Sequence, residues 1–453
     1  MTYRLTQNNI SVGLDIGTST ISTIVLDCTS GKVLHSCTVP NAGGIQSSNT
    51  WEHTQSAAWI WETSKNLLDT ILEDYTVFSI GVTGQMHGIL YTSPDGVPLS
   101  PLYTWQDCRA NQGQNSACEI IKKKTGYTVP TGYGLATHYH LLRENQTPAE
   151  TYYCSTIMDY ITMKLCGLSH PITHITNAAS WGFYKDDKQG FDTEALGKLG
   201  IDCAVLPKVV VKNYILGTYN GIPVSVAIGD NQAAFIGSVK DPEHTVLVNI
   251  GTGSQISLLA DKPLSNGFSL VESRPFDGER YLLSGAGLCG GRAYALLENF
   301  FKQYAVALGF PDKPQYDILN ELAARGIKKG TILPVRTTFC GTRKDPDLRG
   351  QITDIGEDNL TPEALMAGVL YGIVNELLDM YKMVPTDSVQ MLVASGNAVR
   401  KNTILQQILT DTFHLPLQIP LNNEEAACGA AIYGNNAARN KNLSDIQKEV
   451  FLS

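Results

Sequence analysis

Apolar positions in this chain fall into short runs, and one arrangement of them occurs twice. Val12-Gly-Leu-Asp15-Ile-Gly17-Thr18-Ser19 aligns with Val246-Leu-Val-Asn249-Ile-Gly251-Thr252-Gly253, and each is followed by an apolar, β-rich run, Ile21 to Leu26 and Ile256 to Leu259. Each copy predicts a strand, a tight Gly-Thr turn and a returning strand. A second pair, Phe78-Ser-Ile-Gly-Val-Thr83-Gly84-Gln85 and Gln390-Met-Leu-Val-Ala-Ser395-Gly396-Asn397, predicts two buried strands ending in a small hydroxyl residue and glycine. Helical spacing is clearest from Thr361, an N-cap followed by Pro362, with Leu365, Met366, Val369, Leu370, Ile373, Val374 and Leu377 on the apolar side. Alternating strands and helices predict α/β lobes, and the duplication predicts two of them facing one another, 1–240 and 241–453, with the break near Ser238 to His244. Small ligands favour the cleft between such lobes.

Composition narrows the functional classes. The 453 residues carry 34 Lys and Arg against 43 Asp and Glu, a formal charge of -9, and Lys122, Lys123 and Lys124 form the one basic cluster, so nucleic acid is not the expected partner. Met1 to Ile10 has no apolar leader core, and the chain has no uninterrupted run of about 18 apolar residues, so no membrane partner and a cytoplasmic location are expected. Ten cysteines without any C-x-x-C spacing predict reduced, mostly buried thiols rather than a metal cluster.

The repeated turns carry the first candidate chemistry. In Asp15-Ile-Gly17-Thr18-Ser19-Thr20, Gly17 lets the backbone approach a ligand, the hydroxyls and amides can surround phosphate oxygens, and Asp15 can hold a neutralising cation. A plain hairpin turn is the alternative for one copy; the second, Gly251-Thr252-Gly253-Ser254, favours a polyphosphate site. Ala227-Ile-Gly229-Asp230-Asn231 ends a buried strand, so Asp230 is either a helix cap or a carboxylate able to accept a proton from a substrate hydroxyl. Gly84-Gln85-Met86-His87-Gly88, with Trp105, Asp107 and Tyr133, offers an imidazole, an amide and aromatic faces suited to a polyol. Gly285-Ala-Gly287-Leu-Cys-Gly290 matches a dinucleotide fingerprint but lacks the second strand and its acidic residue; it reads better as a glycine-rich wall, with Gly291, beside a nucleotide. No G-x-x-x-x-G-K-[ST] occurs, which excludes a P-loop.

Taken in order, these motifs resemble those of FGGY carbohydrate kinases, a branch of the sugar kinase, Hsp70 and actin superfamily, over nearly the whole length. The resemblance implies two ribonuclease-H-like lobes, with sugar mostly on the first and ATP on the second. It implies Asp230 as general base and Asp15, with Asp230, as the Mg²⁺ carboxylates. Gln85, Met86, His87, Trp105, Asp107, Tyr133, Asp230 and Asn231 match sugar-binding positions. Gly17, Thr18, Ser19, Thr20, Gly251, Thr252, Gly253, Gly291, Gly396 and Asn397 match nucleotide-binding positions. Asn249 stands where the family has a phosphate-side Asp. Gln85-Met-His-Gly88 is shared with xylulose kinases, while Thr131 to Thr137 and Asn177 to Gly182 look more like sedoheptulose kinases, implying sedoheptulose 7-phosphate as product and a homodimer as assembly. A sugar or ATP sensor on the same lobes is the alternative of another class.

Overall fold

The computed structural model describes residues 9–150, 152–264, 270–342, 345 and 347–441; most of Met1 to Ile10 lies outside them. Contacts divide the chain into two compact units. Among the described residues, the first takes in 9–240, then Pro275–Arg280, then 424–441; the second holds those of Asp241–Arg274 and Tyr281–Asn423. After residue 240 the chain thus returns twice to the first unit.

Each unit is built on the predicted repeat. In the first, Ile10–Ile16 pairs antiparallel with Thr20–Asp27 across the Gly17-Thr18 turn and parallel with Ser79–Gly84. In the second, Thr245–Ile250 pairs antiparallel with Ser254–Ala260 across the Gly251-Thr252 turn and parallel with Met391–Ser395. The registers agree as well: Asp15 lies opposite Thr83, and its counterpart Asn249 lies opposite Ser395. Alternation along these central strands is weak because both faces are covered, as expected where helices pack on each side of a sheet. Val12, Leu14, Ile80 and Val82 are fully buried in the first core, and Val246, Val248, Leu392 and Ala394 in the second.

Thr361 caps the helix Pro362–Tyr381 by accepting from the Ala364 amide. By length and apolar composition this helix could cross a membrane, although charged residues interrupt its apolar run. It is 61% buried, with Met366, Val369, Ile373 and Leu377 in the second core, the placement of a core helix. Strand Tyr281–Gly287 runs antiparallel to Ser254–Ala260, so the Gly285 motif does not sit in the parallel βαβ unit that a dinucleotide fold requires. Among the described residues no disulfide forms; Cys28, Cys154, Cys289 and Cys428 are buried and the other six cysteines are half-buried.

The last described helix, Glu425–Arg439, begins Glu-Ala-Ala-Cys-Gly-Ala-Ala and lies against the first sheet at backbone-contact range. A Cβ on Gly13 would sit 1.8 Å from the Ala427 carbonyl oxygen, and one on Gly81 1.8 Å from that of Ala430. The helix Asp230–Ser238 meets the same helix equally closely, a Cβ on Gly429 falling 1.8 Å from the Ala233 carbonyl oxygen. Gly81→Ala should therefore destabilise the protein by about 3 kcal/mol or prevent folding, because backbone atoms cannot rotate aside. Gly44→Ala, with nothing within 4 Å of the added carbon, is the control expected to leave the denaturant midpoint nearly unchanged.

Candidate active site

In the first unit, the Gly17-Thr18 turn is held by a mesh of amides. Gln55 Nε2 donates to the Thr18 carbonyl at 2.8 Å, Gln85 Nε2 donates to Gln55 Oε1 at 2.8 Å, and Asn41 Nδ2 donates to the Gly17 carbonyl at 2.9 Å. Trp105 Nε1 donates to Thr18 Oγ1 at 2.9 Å, which in turn donates to Gln85 Oε1 at 3.3 Å. Ser19 and Thr20 follow at the exposed edge of the turn. Gln55 and Asn41 had no motif around them; only the folded turn shows what they do.

Two expected ligand contacts belong to this frame instead. Gln85 is buried at 4% exposure, with its amide engaged as described. Asp107 is wholly buried, its carboxylate gripping Arg109 Nε at 2.7 Å and Nη2 at 2.9 Å and accepting from the His53 amide at 3.0 Å. The pair fixes the loop that presents Trp105, which is 47% exposed. Asp107 is thus a brace under the site, not a group facing it.

His87 sits in the left-handed region at φ 75°, between Met86 and Gly88. Its Nδ1 lies 2.7 Å from the Ser180 carbonyl, which can only accept, so Nδ1 carries a proton. The imidazole stacks on Tyr133, ring centres 4.3 Å apart and planes 16° from parallel. Trp181, fully buried, donates from Nε1 to the Gly88 carbonyl at 2.9 Å and lies under Gly134, so the Asn177 to Gly182 stretch supports this wall from behind. Met86 is buried beneath Gly229, leaving His87, Tyr133 and Trp105 as the more accessible expected sugar contacts.

Asp230 is the first residue of helix Asp230–Ser238, with Gly229 in the cap position, so it is not itself the cap. Both Asp230 and Asn231 are half-buried. Burial, then the Asp230 and Glu424 carboxylates, push the Asp15 carboxyl up to about 7. Glu424 was not anticipated; the acidic pair Glu424-Glu425 before a run of small residues is the signal that could have marked it. Among the described residues no three His, Cys, Asp or Glu groups form a ready-made metal cage. The repulsion that Asp230 and Glu424 exert on Asp15 nevertheless fits a divalent cation of the Mg²⁺ type, which takes one or two carboxylates and completes its shell with water and phosphate oxygens.

The second unit contains a cavity of about 810 Å³ lined by Gly251, Thr252, Gly291, Tyr294, Asn320 and Asn397, among others. Helix Gly291–Ala307 starts against the turn, the Gly291 amide donating to the Gly251 carbonyl at 2.8 Å and the Arg292 amide to that of Thr252 at 3.0 Å. Gly253 packs on Gly287 and Gly290, away from the cavity lining. Gly396, at φ 92°, lets the Asn397–Lys401 helix begin hard against Ile250. Asn249 donates to Ser395 Oγ at 2.9 Å, which ties the two strands that deliver these turns. Tyr294 and Asn402 both donate to Asn320 Oδ1, at 2.6 and 2.9 Å; these cavity residues come from three helical regions and carry no local motif.

Comparison with known proteins agrees with this arrangement. The N-terminal domain of the FGGY family of carbohydrate kinases matches residues 10–237, and the C-terminal domain matches 247–438. The chain belongs to the FGGY family. This FGGY chain is an ATP-dependent carbohydrate kinase, a phosphotransferase with a sugar hydroxyl as acceptor. It is 28% identical to the sedoheptulokinase of Mus musculus, over 93% of this chain and 96% of that one. It is 25% identical to a xylulose kinase of Staphylococcus xylosus, over 93% and 89%. Two solved structures share the fold: a ligand-bound xylulose kinase from Lactobacillus acidophilus (TM-score 0.78, 21% identity, 96% and 91% covered) and Plasmodium falciparum glycerol kinase with ADP (0.79, 17%, 98% and 92%).

The Asp15 carboxyl gives a pH-dependent signature. Folding raises it from an ordinary 3.8 to about 7, so the stability associated with its protonated form is complete below the lower value and is lost as pH rises to the upper one. Asp15→Asn should melt at a higher temperature than the parent above pH 7 in Mg²⁺-free, nucleotide-free buffer. That advantage should shrink on acidification and vanish near pH 4, read by differential scanning calorimetry across the range.

Proposed function

We propose that this kinase transfers the γ-phosphoryl group of ATP to a terminal hydroxyl of sedoheptulose, giving sedoheptulose 7-phosphate and ADP. The observation that carries the reaction is the placement of two carboxylates close enough to repel, Asp230 at the start of a helix and Asp15 near the end of a strand, in the unit that also bears the His87 and Tyr133 wall. The likeness to the sedoheptulokinase of Mus musculus over 93% of the chain, with the Asn177 to Gly182 stretch behind that wall, supports the choice of sugar.

Asp230 takes the proton of the attacking hydroxyl while its oxygen bonds to the γ-phosphorus and the bond from that phosphorus to the bridging oxygen breaks. ADP leaves with that oxygen and its electron pair. Such transfers need little from the protein beyond alignment and neutralisation of charge. Backbone amides of the Gly17-Thr18 and Gly251-Thr252 turns supply hydrogen-bond donors of the kind phosphate oxygens require. Asp15 and Asp230 would hold Mg²⁺, which supplies the positive charge that offsets the phosphates. His87, Tyr133, Trp105 and Asn231 bind and orient the sugar, the rings facing its C–H surfaces and the polar atoms its hydroxyls. The cavity beside Gly291 and Asn397 holds the nucleoside, with the Tyr294, Asn320 and Asn402 group at its wall.

Two measurements test this reading. ADP release from purified protein with ATP and Mg²⁺ should show the highest kcat/KM for sedoheptulose among sedoheptulose, xylulose, ribulose, fructose and glycerol. A preference for another ketose would move the substrate and keep the chemistry; no sugar-dependent ADP would discard both. Asp230→Asn should keep the fold and ATP binding and lose about 10²- to 10⁴-fold in kcat, the usual contribution of a general base.

A further inference from the structure

The half-turn of chain leading into Asp230 is tethered at three consecutive residues by buried side chains. Asn177 Nδ2 donates to the Ala227 carbonyl at 3.3 Å, Thr83 Oγ1 donates to the Ile228 carbonyl at 2.7 Å, and the Gly229 amide donates to Thr176 Oγ1 at 3.1 Å. Thr83, Thr176 and Asn177 are each at most 1% exposed. Ordinary sheet pairing at this point is short, Ile228–Gly229 meeting Thr83–Gly84 over two residues only. Side chains therefore take over where the strand ends and the helix has not yet begun.

The Thr176 hydroxyl could in principle point its proton either way, and His174 settles it. The imidazole is buried, and burial pushes it down to about 4, so the ring is neutral at ordinary pH. Its Nε2 lies 2.8 Å from the Val211 carbonyl, which only accepts, so the ring proton is on Nε2. Nδ1 is then an acceptor, in agreement with the Thr176 backbone amide that donates to it at 3.4 Å. Thr176 Oγ1, 3.0 Å from the same Nδ1, gives its proton there and keeps lone pairs for the Gly229 amide. The relay runs in one direction, from Gly229 N–H to Thr176 to His174 to Val211. Asn177 is fixed likewise, its Nδ2 also donating to Asp159 Oδ1 at 3.1 Å. Gly229 is closely packed as well: a Cβ there would lie 2.7 Å from Gln232 Oε1 and 2.8 Å from Met86 Cε.

We infer that Thr176, oriented by His174, is a positioning residue for proton abstraction: together with Thr83 and Asn177 it fixes the Ala227 to Gly229 backbone so that Asp230 meets the acceptor hydroxyl in reacting geometry. The inference rests on the reading of Asp230 as the general base. None of these side chains touches substrate; each acts through the main chain to which Asp230 is attached. A base must lie within hydrogen-bond reach of its proton, and a misplacement of about 1 Å costs on the order of 10²-fold in rate.

Thr176→Val keeps the shape and removes the hydroxyl. In the full-length enzyme it should lower kcat at least 10-fold, on the scale of such misplacements, with the KM for ATP changed less than twofold and the far-ultraviolet circular dichroism unchanged. Thr176→Ser, which restores the acceptor, should recover most of that kcat. In an Asp230→Asn background, Thr176→Val should cause no further loss, because no base is left to position. A purely structural role would instead lower the melting temperature, leave kcat at parental level well below the transition, or add its full loss on top of Asp230→Asn; any of these overturns the inference. If Thr176→Val does not fold, Thr83→Val, which frees only the Ile228 carbonyl, carries the same kcat and double-variant test. Near-parental kcat in Asp230→Asn alone would overturn the base itself, an outcome separate from failure of the Thr176 variants.

Discussion

The close approach of helix Glu425–Arg439 to the first sheet sets the spacing on which the rest of the first unit depends. Side chains normally keep a helix about 10 Å from a sheet, but here Gly13 and Gly81 on the strands, and Gly237 on the neighbouring helix, allow main chain to meet main chain. Those glycines lie on the strand that carries Asp15, on the strand that ends in Gly84 and on the helix that starts with Asp230. One contact surface therefore fixes three elements that deliver chemistry. The tight packing also explains the run of alanines and glycines in a segment with no apparent functional motif.

A second constraint is electrostatic. Burial and the carboxylates of Asp230 and Glu424 all disfavour the charged form of Asp15 and push its carboxyl up to about 7. Instability of this kind at an active site is expected where a ligand supplies the missing charge. The cost is offset elsewhere, by the amide mesh around Gly17 and Thr18 and by the Asp107 and Arg109 pair, whose carboxylate oxygens are all used internally.

What the sequence reveals divides along the same line. The repeated turns, the central strands and helix Pro362–Tyr381 could be read directly, because each depends on local periodicity, caps and glycines within a few residues. Gly251, Thr252, Gly291 and Asn397 come together around one cavity as the motifs suggest. The role of Asp107 could not be read, because the partner that neutralises it, Arg109, looks the same in sequence whether it faces in or out. Tyr294, Asn320 and Asn402 were invisible for another reason: they converge only when helices distant in sequence pack together. The same holds for the return of Glu424 and its helix to the first unit, which no local pattern announces.

That return has a consequence for how the protein is made. The layer that presses on Gly13 and Gly81 leaves the ribosome only after the whole of the second unit has been synthesised. At roughly 5 to 20 residues per second, the sheet carrying Asp15 waits on the order of ten to forty seconds between completion of residue 240 and arrival of its covering helix. During that interval the face of the sheet that carries Gly13 and Gly81 is uncovered in a growing chain, while the opposite face, with Val12 and Ile80, packs on helices Ala57–Asp74 and Ile157–Leu165, which are already made. The second unit, continuous apart from the short excursion at Pro275–Arg280, is thus complete in the growing chain before the first receives its last helix.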